Sequence, residues 1–287
     1  MDVEDIHPGF IGVVRGFQAC EATAADAVRI RDEIDRAGVL VFKDQQHLDD
    51  DALLAFALLF GTPHRSIAAK RPDLERRLGH DELSDISNLE RDGSILPRDD
   101  MRRIQQRANL VWHTDNSFRS PAGEFTMLAA RVVPERDGET EFANCRAAYD
   151  ALPEEMKQRI AGLEAVHSLA RSRELVGTGG VFDAEEEKRF PSNVQPLVRR
   201  NPRTGRPALY IGSHAARIVG WDEDKGRALL DDLLEFATRP QFVHRHRWSL
   251  GDLVMWDNTA TLHRALPFDD THSRRDLRRV STMLAEA

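Results

Sequence analysis

Residues 109–118 read NLVWHTDNSF, a stretch that places two metal-binding residue types two positions apart. In an extended backbone, the side chains of residues i and i+2 leave the same face, so His113 and Asp115 can reach one ion together. A third ligand of the same kind is His263, which follows the strand-like run LVMW at 253–256. The stretch therefore predicts an extended metal-binding segment within a β-rich fold.

The runs of apolar and β-branched residues predict strands, most of them in the second half of the chain. Strands are predicted at 39–42, 125–133, 141–142, 208–211, 242–243, 253–256 and 280–284, with a brief extended piece near 86–88. Apolar residues spaced three and four apart predict helices at 24–37, 48–60, 147–163 and 222–237. The fold class is therefore mainly β with flanking helices, in one domain spanning residues 1–287.

The composition excludes several classes of protein. Forty Lys and Arg against 48 Asp and Glu leave a formal charge of −8, which does not favour nucleic acid or acidic membranes as partners. Two cysteines are too few for a disulfide framework, and this suits a reducing, cytoplasmic location. No run approaches the ~18 apolar residues of a membrane span, and no signal peptide is recognisable.

Two imidazoles and one carboxylate on one side of an ion are typical of non-haem Fe(II), because three coordination positions stay open. Each residue also has an ordinary interpretation. A His-x-Asp pair arises by chance in a chain with 11 histidines. His263 by itself is equally consistent with a hydrogen-bonded interior histidine.

A basic stretch, SRRDLRRVSTM, begins ten residues after His263. If it forms a strand, Arg274 and Arg278 share one face while Arg275 and Arg279 share the other. A guanidinium binds a carboxylate through two parallel hydrogen bonds, so this stretch can anchor an acidic cosubstrate. The alternative is a solvated basic cluster that balances an acidic surface.

The combined pattern resembles the taurine/2,4-dichlorophenoxyacetate dioxygenase family. The pattern is His-x-Asp, a Thr 27 residues after the first His, a distal His, and Arg 11 and 15 residues beyond it, at His113, Asp115, Thr140, His263, Arg274 and Arg278. The resemblance covers nearly the whole chain, through GVLVF at 38–42, DISN at 85–88, RAAYDALP at 146–153 and GDLVMWDN at 251–258. These segments are most similar to the aryloxyacetate branch.

The resemblance implies a double-stranded β-helix, the jelly-roll core shared with cupins. It implies Fe(II) held by His113, Asp115 and His263, with 2-oxoglutarate chelating the metal through its C1 carboxylate and keto oxygen. By the same resemblance, Arg274 and Thr140 bind the C5 carboxylate of 2-oxoglutarate. Arg278 lies near the substrate anion or the metal-proximal carboxylate.

Four further side chains are candidates for the substrate pocket. Asn109 matches a family position that lines the site. Lys70 and Ser117 fall near positions that can meet an anionic or polar substrate, and each is alternatively a plain surface residue. His214 follows a predicted strand and either borders the pocket or is a hydrogen-bonded loop histidine.

The implied activity is hydroxylation of a small carboxylate, such as 2,4-dichlorophenoxyacetate, with O2 and 2-oxoglutarate as cosubstrates. An aryloxyacetate would give a phenol and glyoxylate, together with succinate and carbon dioxide. The alternatives are the same chemistry on a sulfonate, an amino-acid derivative or a natural-product intermediate, and a jelly roll that only binds metal or hydrolyses with Zn. The expected partner is a small anionic molecule, and the family analogy implies a homo-oligomer.

Overall fold

A computed structural model describes residues 1–71, 76–178 and 184–285. Its α-helices, α1 to α8 in chain order, are Ala24–Ala37, Asp50–Leu58, Met101–Gln106, Cys145–Asp150, Glu154–Ile160, Leu169–Leu175, Ala184–Arg189 and Glu223–Ala237. Its strands, β1 to β15, are Asp2–His7, Ile11–Arg15, Val39–Phe42, Ser84–Ser87, Gly123–Val132, Thr140–Asn144, Glu164–His167, Asn193–Pro196, Val198–Arg200, Pro207–Leu209, Ala215–Ile218, Val243–His246, Leu253–Asp257, Thr261–Ala265 and Asp276–Met283. The chain is thus a mixed α+β protein.

Helix α1 has the boundaries that the sequence predicts. Thr23 caps it, because its hydroxyl accepts from the Asp26 backbone N–H while the Asp26 carboxylate accepts from the Thr23 N–H. Gly38 ends it with φ of 94°, a conformation that a side chain disfavours. The chain then enters β3 directly, so this helix and strand are specified by local sequence.

The single helix predicted at 147–163 is wrong. The structure contains two helices there, and Pro153 separates them as the N-cap of α5. Proline lacks a backbone N–H and disfavours the helical conformation at the residue before it. The apolar spacing continued across this break, so periodicity alone did not reveal it.

A seven-stranded sheet has the strand order β1-β2-β3-β13-β5-β15-β4. Neighbouring strands are antiparallel except β2 and β3, which are parallel. One face, which includes Met127 and Val280, is covered by α1 and α2. The opposite face, which includes Trp256 and Leu277, packs against Phe142 of β6. Both faces are therefore buried.

Phe142 belongs to a second sheet with the order β12-β6-β14. Helices α4 and α8 cover the far side of this sheet with a cluster of buried apolar residues. His263 lies on β14 with its ring 4.6 Å from that of Trp256, so it sits where the two sheets meet. Two smaller sheets, β11-β7-β8 and β10-β9, complete the strand pairing of the described chain.

Among residues 1–71, 76–178 and 184–285, no helix is both long and apolar enough to cross a lipid bilayer.

Candidate active site

His113 and His263 are brought together by their own backbones. Each donates its N–H to the carbonyl of the other, at 3.0 and 2.8 Å, as an isolated antiparallel bridge. Residues directly opposite each other in such a pair project their side chains to the same side, and the two ring centroids are 4.1 Å apart. This bridge joins the His113 segment, which lies outside the sheets, to β14 and places the two imidazoles side by side.

Asp115 completes a cluster of three buried side chains. One candidate ligand atom from each residue lies within 4.8 Å of the others. The Asp115 carboxylate lies 4.0 Å from His113 Nε2 and 3.5 Å from His263 Nε2. Two imidazole nitrogens and a carboxylate oxygen converging on one point are a donor set that a divalent cation satisfies.

The protonation states suit metal binding. His113 Nδ1 lies 2.7 Å from the Val111 carbonyl, which only accepts, so Nδ1 carries the proton and Nε2 keeps a free lone pair. Burial lowers the pKa of both His113 and His263, which keeps the imidazoles neutral. Burial alone would raise the pKa of Asp115, but the Arg279 charge and the hydrogen bond from the Thr126 hydroxyl lower it. The carboxylate is therefore ionised.

Asn258 fixes the backbone and the carboxylate of the Asp115 segment. Its side-chain oxygen accepts from the Asp115 N–H at 3.0 Å and from Trp256 Nε1 at 3.1 Å. Its amide nitrogen donates to Thr126 Oγ1 at 2.9 Å, and Thr126 donates to Asp115 Oδ2 at 2.9 Å. Such a network orients a ligand before the metal arrives.

A buried cation lies beside the cluster. Arg275 lines a cavity of about 30 Å³, here called the triad cavity, together with Thr140, Arg279 and both histidines. Arg275 is 7% exposed, and no carboxylate of the described chain forms a salt bridge with it. Burial lowers its pKa to about 10, so it stays charged at neutral pH. Thr140 Oγ1 accepts from Trp248 Nε1 at 3.1 Å, which leaves its own proton available for donation.

Comparison with known proteins decides the family. The profile described as "Taurine catabolism dioxygenase TauD, TfdA family" matches residues 2–281. This chain belongs to the TauD/TfdA family. The resemblance inferred from the sequence is confirmed.

Two curated relatives and one solved structure illustrate the similarity. The chain is 41% identical over 283 residues to the alpha-ketoglutarate-dependent 2,4-dichlorophenoxyacetate dioxygenase of Burkholderia sp. (strain RASC), covering 98% of this chain and 93% of that one. It is 34% identical over 281 residues to the (S)-phenoxypropionate/alpha-ketoglutarate-dioxygenase of Sphingobium herbicidovorans, covering 95% and 92%. The crystal structure of AAD-2 in complex with Mn(II) and N-oxalylglycine has a TM-score of 0.90 at 40% identity, covering 100% and 98%.

The structure does not bring Arg274 and Arg278, the two arginines expected at the site, to the triad cavity. Arg274 is exposed and lies beside Gly93, outside the triad cavity. Arg278 lies on the helix-covered side of the sheet, where it pairs with Asp276. The cavity residues are instead Arg275 and Arg279, one position further along. Because side chains alternate along a strand, a shift of one residue exchanges the two faces.

Arg279 is the second cation of the site. Its Nη1 donates to Asp115 Oδ1 at 2.8 Å. Arg275 and Arg279 share one face of the strand, as the sequence predicts, and both line the triad cavity. The hydrophobic pattern does not indicate which face of the strand meets the metal ligands, because Leu277 on one face and Val280 on the other are both buried.

The candidate substrate residues are not all brought together. Asn109 lines the triad cavity. Lys70 does not; it lies over the Phe190 ring in a separate cavity. Ser117 is fully buried, and its Oγ has no hydrogen-bond partner among the described residues. His214 is buried with its ring 6.2 Å from that of His113, and it is not among the residues that line the triad cavity.

We predict that Asn258→Ala weakens metal binding by about 10- to 100-fold, the usual cost of losing a residue that orients a ligand. The reason is that Asp115 and Thr126 both lose a hydrogen bond. Titration with Mn(II) measures the effect. Asn201→Ala is the matched control, because Asn201 is also buried but bonds Asp35, remote from the cluster. Equal Mn(II) affinity in wild type and Asn258→Ala would contradict the prediction.

Gly212 has no sequence signal that marks it as important, yet it packs on the metal-binding segment. Its φ is 120°, and an added Cβ would lie 3.2 Å from His113 Cα and 2.9 Å from a Leu262 methyl group. We expect Gly212→Ala to lower the free energy of unfolding by about 1–3 kcal/mol and to weaken Mn(II) binding. Gly220→Ala is the control, since Gly220 has positive φ but open space. Unchanged Mn(II) affinity in Gly212→Ala would show that the contact does not position His113.

Proposed function

We propose that this protein is an Fe(II)/2-oxoglutarate-dependent dioxygenase that hydroxylates an aryloxyalkanoate such as 2,4-dichlorophenoxyacetate. The observation that carries the proposal is the buried Arg275 guanidinium, which has no carboxylate partner in the described chain and shares a cavity with the His113–Asp115–His263 cluster. A metal site that only binds or hydrolyses has no need for such an anchor. A dicarboxylate cosubstrate does need one.

His113, Asp115 and His263 would hold Fe(II) and leave three positions for oxygen and the cosubstrate. With 2-oxoglutarate and O2 bound, the metal supplies the oxidation that replaces a C–H hydrogen with hydroxyl and yields succinate and carbon dioxide. Arg275 and the Thr140 hydroxyl would bind the C5 carboxylate. The relative AAD-2 was crystallised with N-oxalylglycine, which is also a dicarboxylate.

The protein's own residues orient and protect the reactants. Arg279 keeps Asp115 ionised through a 2.8 Å hydrogen bond. Trp256 and His263 are buried and line the cavity on the side where the two sheets meet. Hydroxylation of the carbon between the ether oxygen and the carboxylate gives a hemiacetal, and its collapse releases the phenol and glyoxylate.

The 2,4-dichlorophenoxyacetate and (S)-phenoxypropionate activities named for the two relatives support the choice of substrate class. We also propose the double-stranded β-helix as the core of a single domain. The packing of the seven-stranded sheet against β12-β6-β14 supports this topology. Cytoplasmic location and homo-oligomer formation stay predictions.

The test is a screen of aryloxyacetates with Fe(II), 2-oxoglutarate and O2, in which phenol and succinate are measured in parallel. The expected result is equal amounts of both products, dependent on all three additions. Succinate formed with a sulfonate, an amino-acid derivative or a natural-product acid, but with no aryloxyacetate, would move the proposal to that substrate. Turnover without iron or 2-oxoglutarate would reject the reaction class.

A further inference from the structure

A second cavity, of about 130 Å³, adjoins the triad cavity. The two share Ile86, Asn109 and Arg279 as lining residues. We call it the arginine cavity, because five arginines line it: Arg76, Arg77, Arg102, Arg173 and Arg279. Its apolar wall includes Leu83 and Leu96. A ligand here would have an apolar part beside leucines and an anionic part beside guanidinium groups.

Four of these arginines already pair with carboxylates. The pairs are Arg76 with Asp81, Arg77 with Asp85 and Asp276, Arg102 with Asp100 and Glu90, and Arg279 with Asp115. Arg173 is different, because no carboxylate of the described chain forms a salt bridge with it. Its Nη1 donates to the Gln105 carbonyl at 2.6 Å, and its buried Nε has no hydrogen-bond partner among the residues that the structure describes.

The charged groups around Arg173 do not neutralise its guanidinium. Burial, together with the charges of Arg71 and Arg279, lowers its pKa to about 10, while Glu186 acts in the opposite direction. The Glu186 carboxylate is bound by Arg71 and by Arg189 at 2.5 Å. Arg173 is therefore a cation at neutral pH, and among the described residues no carboxylate forms a salt bridge with it; Asp85, which also lines the cavity, is bound by Arg77. Uncompensated buried charge is unfavourable, so a bound anion would stabilise this arrangement.

We propose that Arg173 is the anchor for the carboxylate of the substrate. This proposal rests on the proposed function. The carbon oxidised in an aryloxyacetate is bonded directly to the carboxylate, so the anchor must lie near the metal ligands. Arg173 and Arg279 line the same cavity, and Arg279 donates to Asp115, so Arg173 faces the same space as the metal cluster. The aryl ring would then occupy the apolar wall, and Arg275 stays free for 2-oxoglutarate.

The test uses the Fe(II)-loaded full chain and two probes, 2,4-dichlorophenoxyacetate and its uncharged primary amide. Wild type is expected to prefer the acid strongly. In Arg173→Gln the KM for the acid is expected to rise about 10- to 150-fold, the loss of one or two charge-assisted hydrogen bonds, and the acid-over-amide preference should collapse. The KM for 2-oxoglutarate and the affinity for Mn(II) should stay at wild-type values, since neither uses Arg173.

Two further variants control for structural effects. Arg171→Gln changes a neighbouring arginine of α6 that pairs with Glu174, and it should leave both KM values unchanged. Arg173→Lys keeps the charge but loses the planar fork, so it should preserve the preference for the acid with a KM raised several-fold. If Arg173→Gln does not fold, the proposal is tested with Arg173→Lys. An unchanged KM for the acid in that variant would overturn the proposal.

The remaining outcomes are distinct. An unchanged acid preference in folded Arg173→Gln rejects the anchor. A raised KM for 2-oxoglutarate instead of for the acid also rejects it, because Arg173 would then serve the cosubstrate. Absence of phenol from wild type itself would reject the proposed substrate class, whatever the variants do.

Discussion

Asp115→Ala is expected to abolish oxygen-dependent turnover. The carboxylate is the single anionic ligand of the cluster and also the partner of Arg279, so the variant leaves a cation beside two neutral imidazoles. We expect metal affinity and kcat to fall by more than the ~10- to 100-fold that loss of an orienting residue costs. Mn(II) titration and succinate formation measure the two effects separately.

Asp35→Ala is the matched control for this experiment. Asp35 is also buried and paired with an arginine, Arg203, but it is not part of the metal cluster. It should cost stability without changing Mn(II) affinity. Wild-type turnover by Asp115→Ala, or by His113→Ala, would disprove the assignment of the metal ligands.

Arg275→Ala is expected to raise the KM for 2-oxoglutarate by about 10- to 150-fold, because a hydrogen bond to a charged group contributes ~1.5–3 kcal/mol. The guanidinium is buried in the triad cavity and has no salt-bridge partner in the part of the chain that the structure describes. Initial rates of succinate formation over a range of 2-oxoglutarate concentrations give the value. The KM for the aryloxyacetate should change much less.

Arg274→Ala is an unusually close control, since Arg274 is the preceding residue and is exposed. It should leave the 2-oxoglutarate dependence at the wild-type value. If Arg274→Ala raised that KM and Arg275→Ala did not, the original assignment from family spacing would stand and the position taken from the structure would be wrong.

Several elements were predictable because their information is local. Thr23 and Gly38 bound α1 through hydrogen bonds and backbone conformation that depend only on nearby residues. The buried strand β3 follows from four consecutive apolar residues at 39–42. The helix prediction at 147–163 failed for a local reason also, since Pro153 interrupts a periodicity that otherwise continues.

In the candidate site, too, the predictable part is the part whose residues are close in sequence. His113 and Asp115 are near in sequence, and their spacing already indicated a shared ion. Their approach to His263 depends on a backbone bridge between residues 150 positions apart in the sequence, which the family resemblance implied but spacing alone did not establish. Asn258 and Gly212 act through contacts with this segment, and nothing in their local sequence identifies those contacts.

By itself, the sequence determined which residue types are available: a His-x-Asp pair, a distal histidine and four arginines close together. It also determined that Arg275 and Arg279 lie on the same side of any strand they form. Only the tertiary structure decided which side meets the metal ligands. Buried apolar residues lie on both faces of β15, so the hydrophobic pattern does not distinguish the two faces. Which face meets the metal ligands depends on how the sheets and helices pack around the strand.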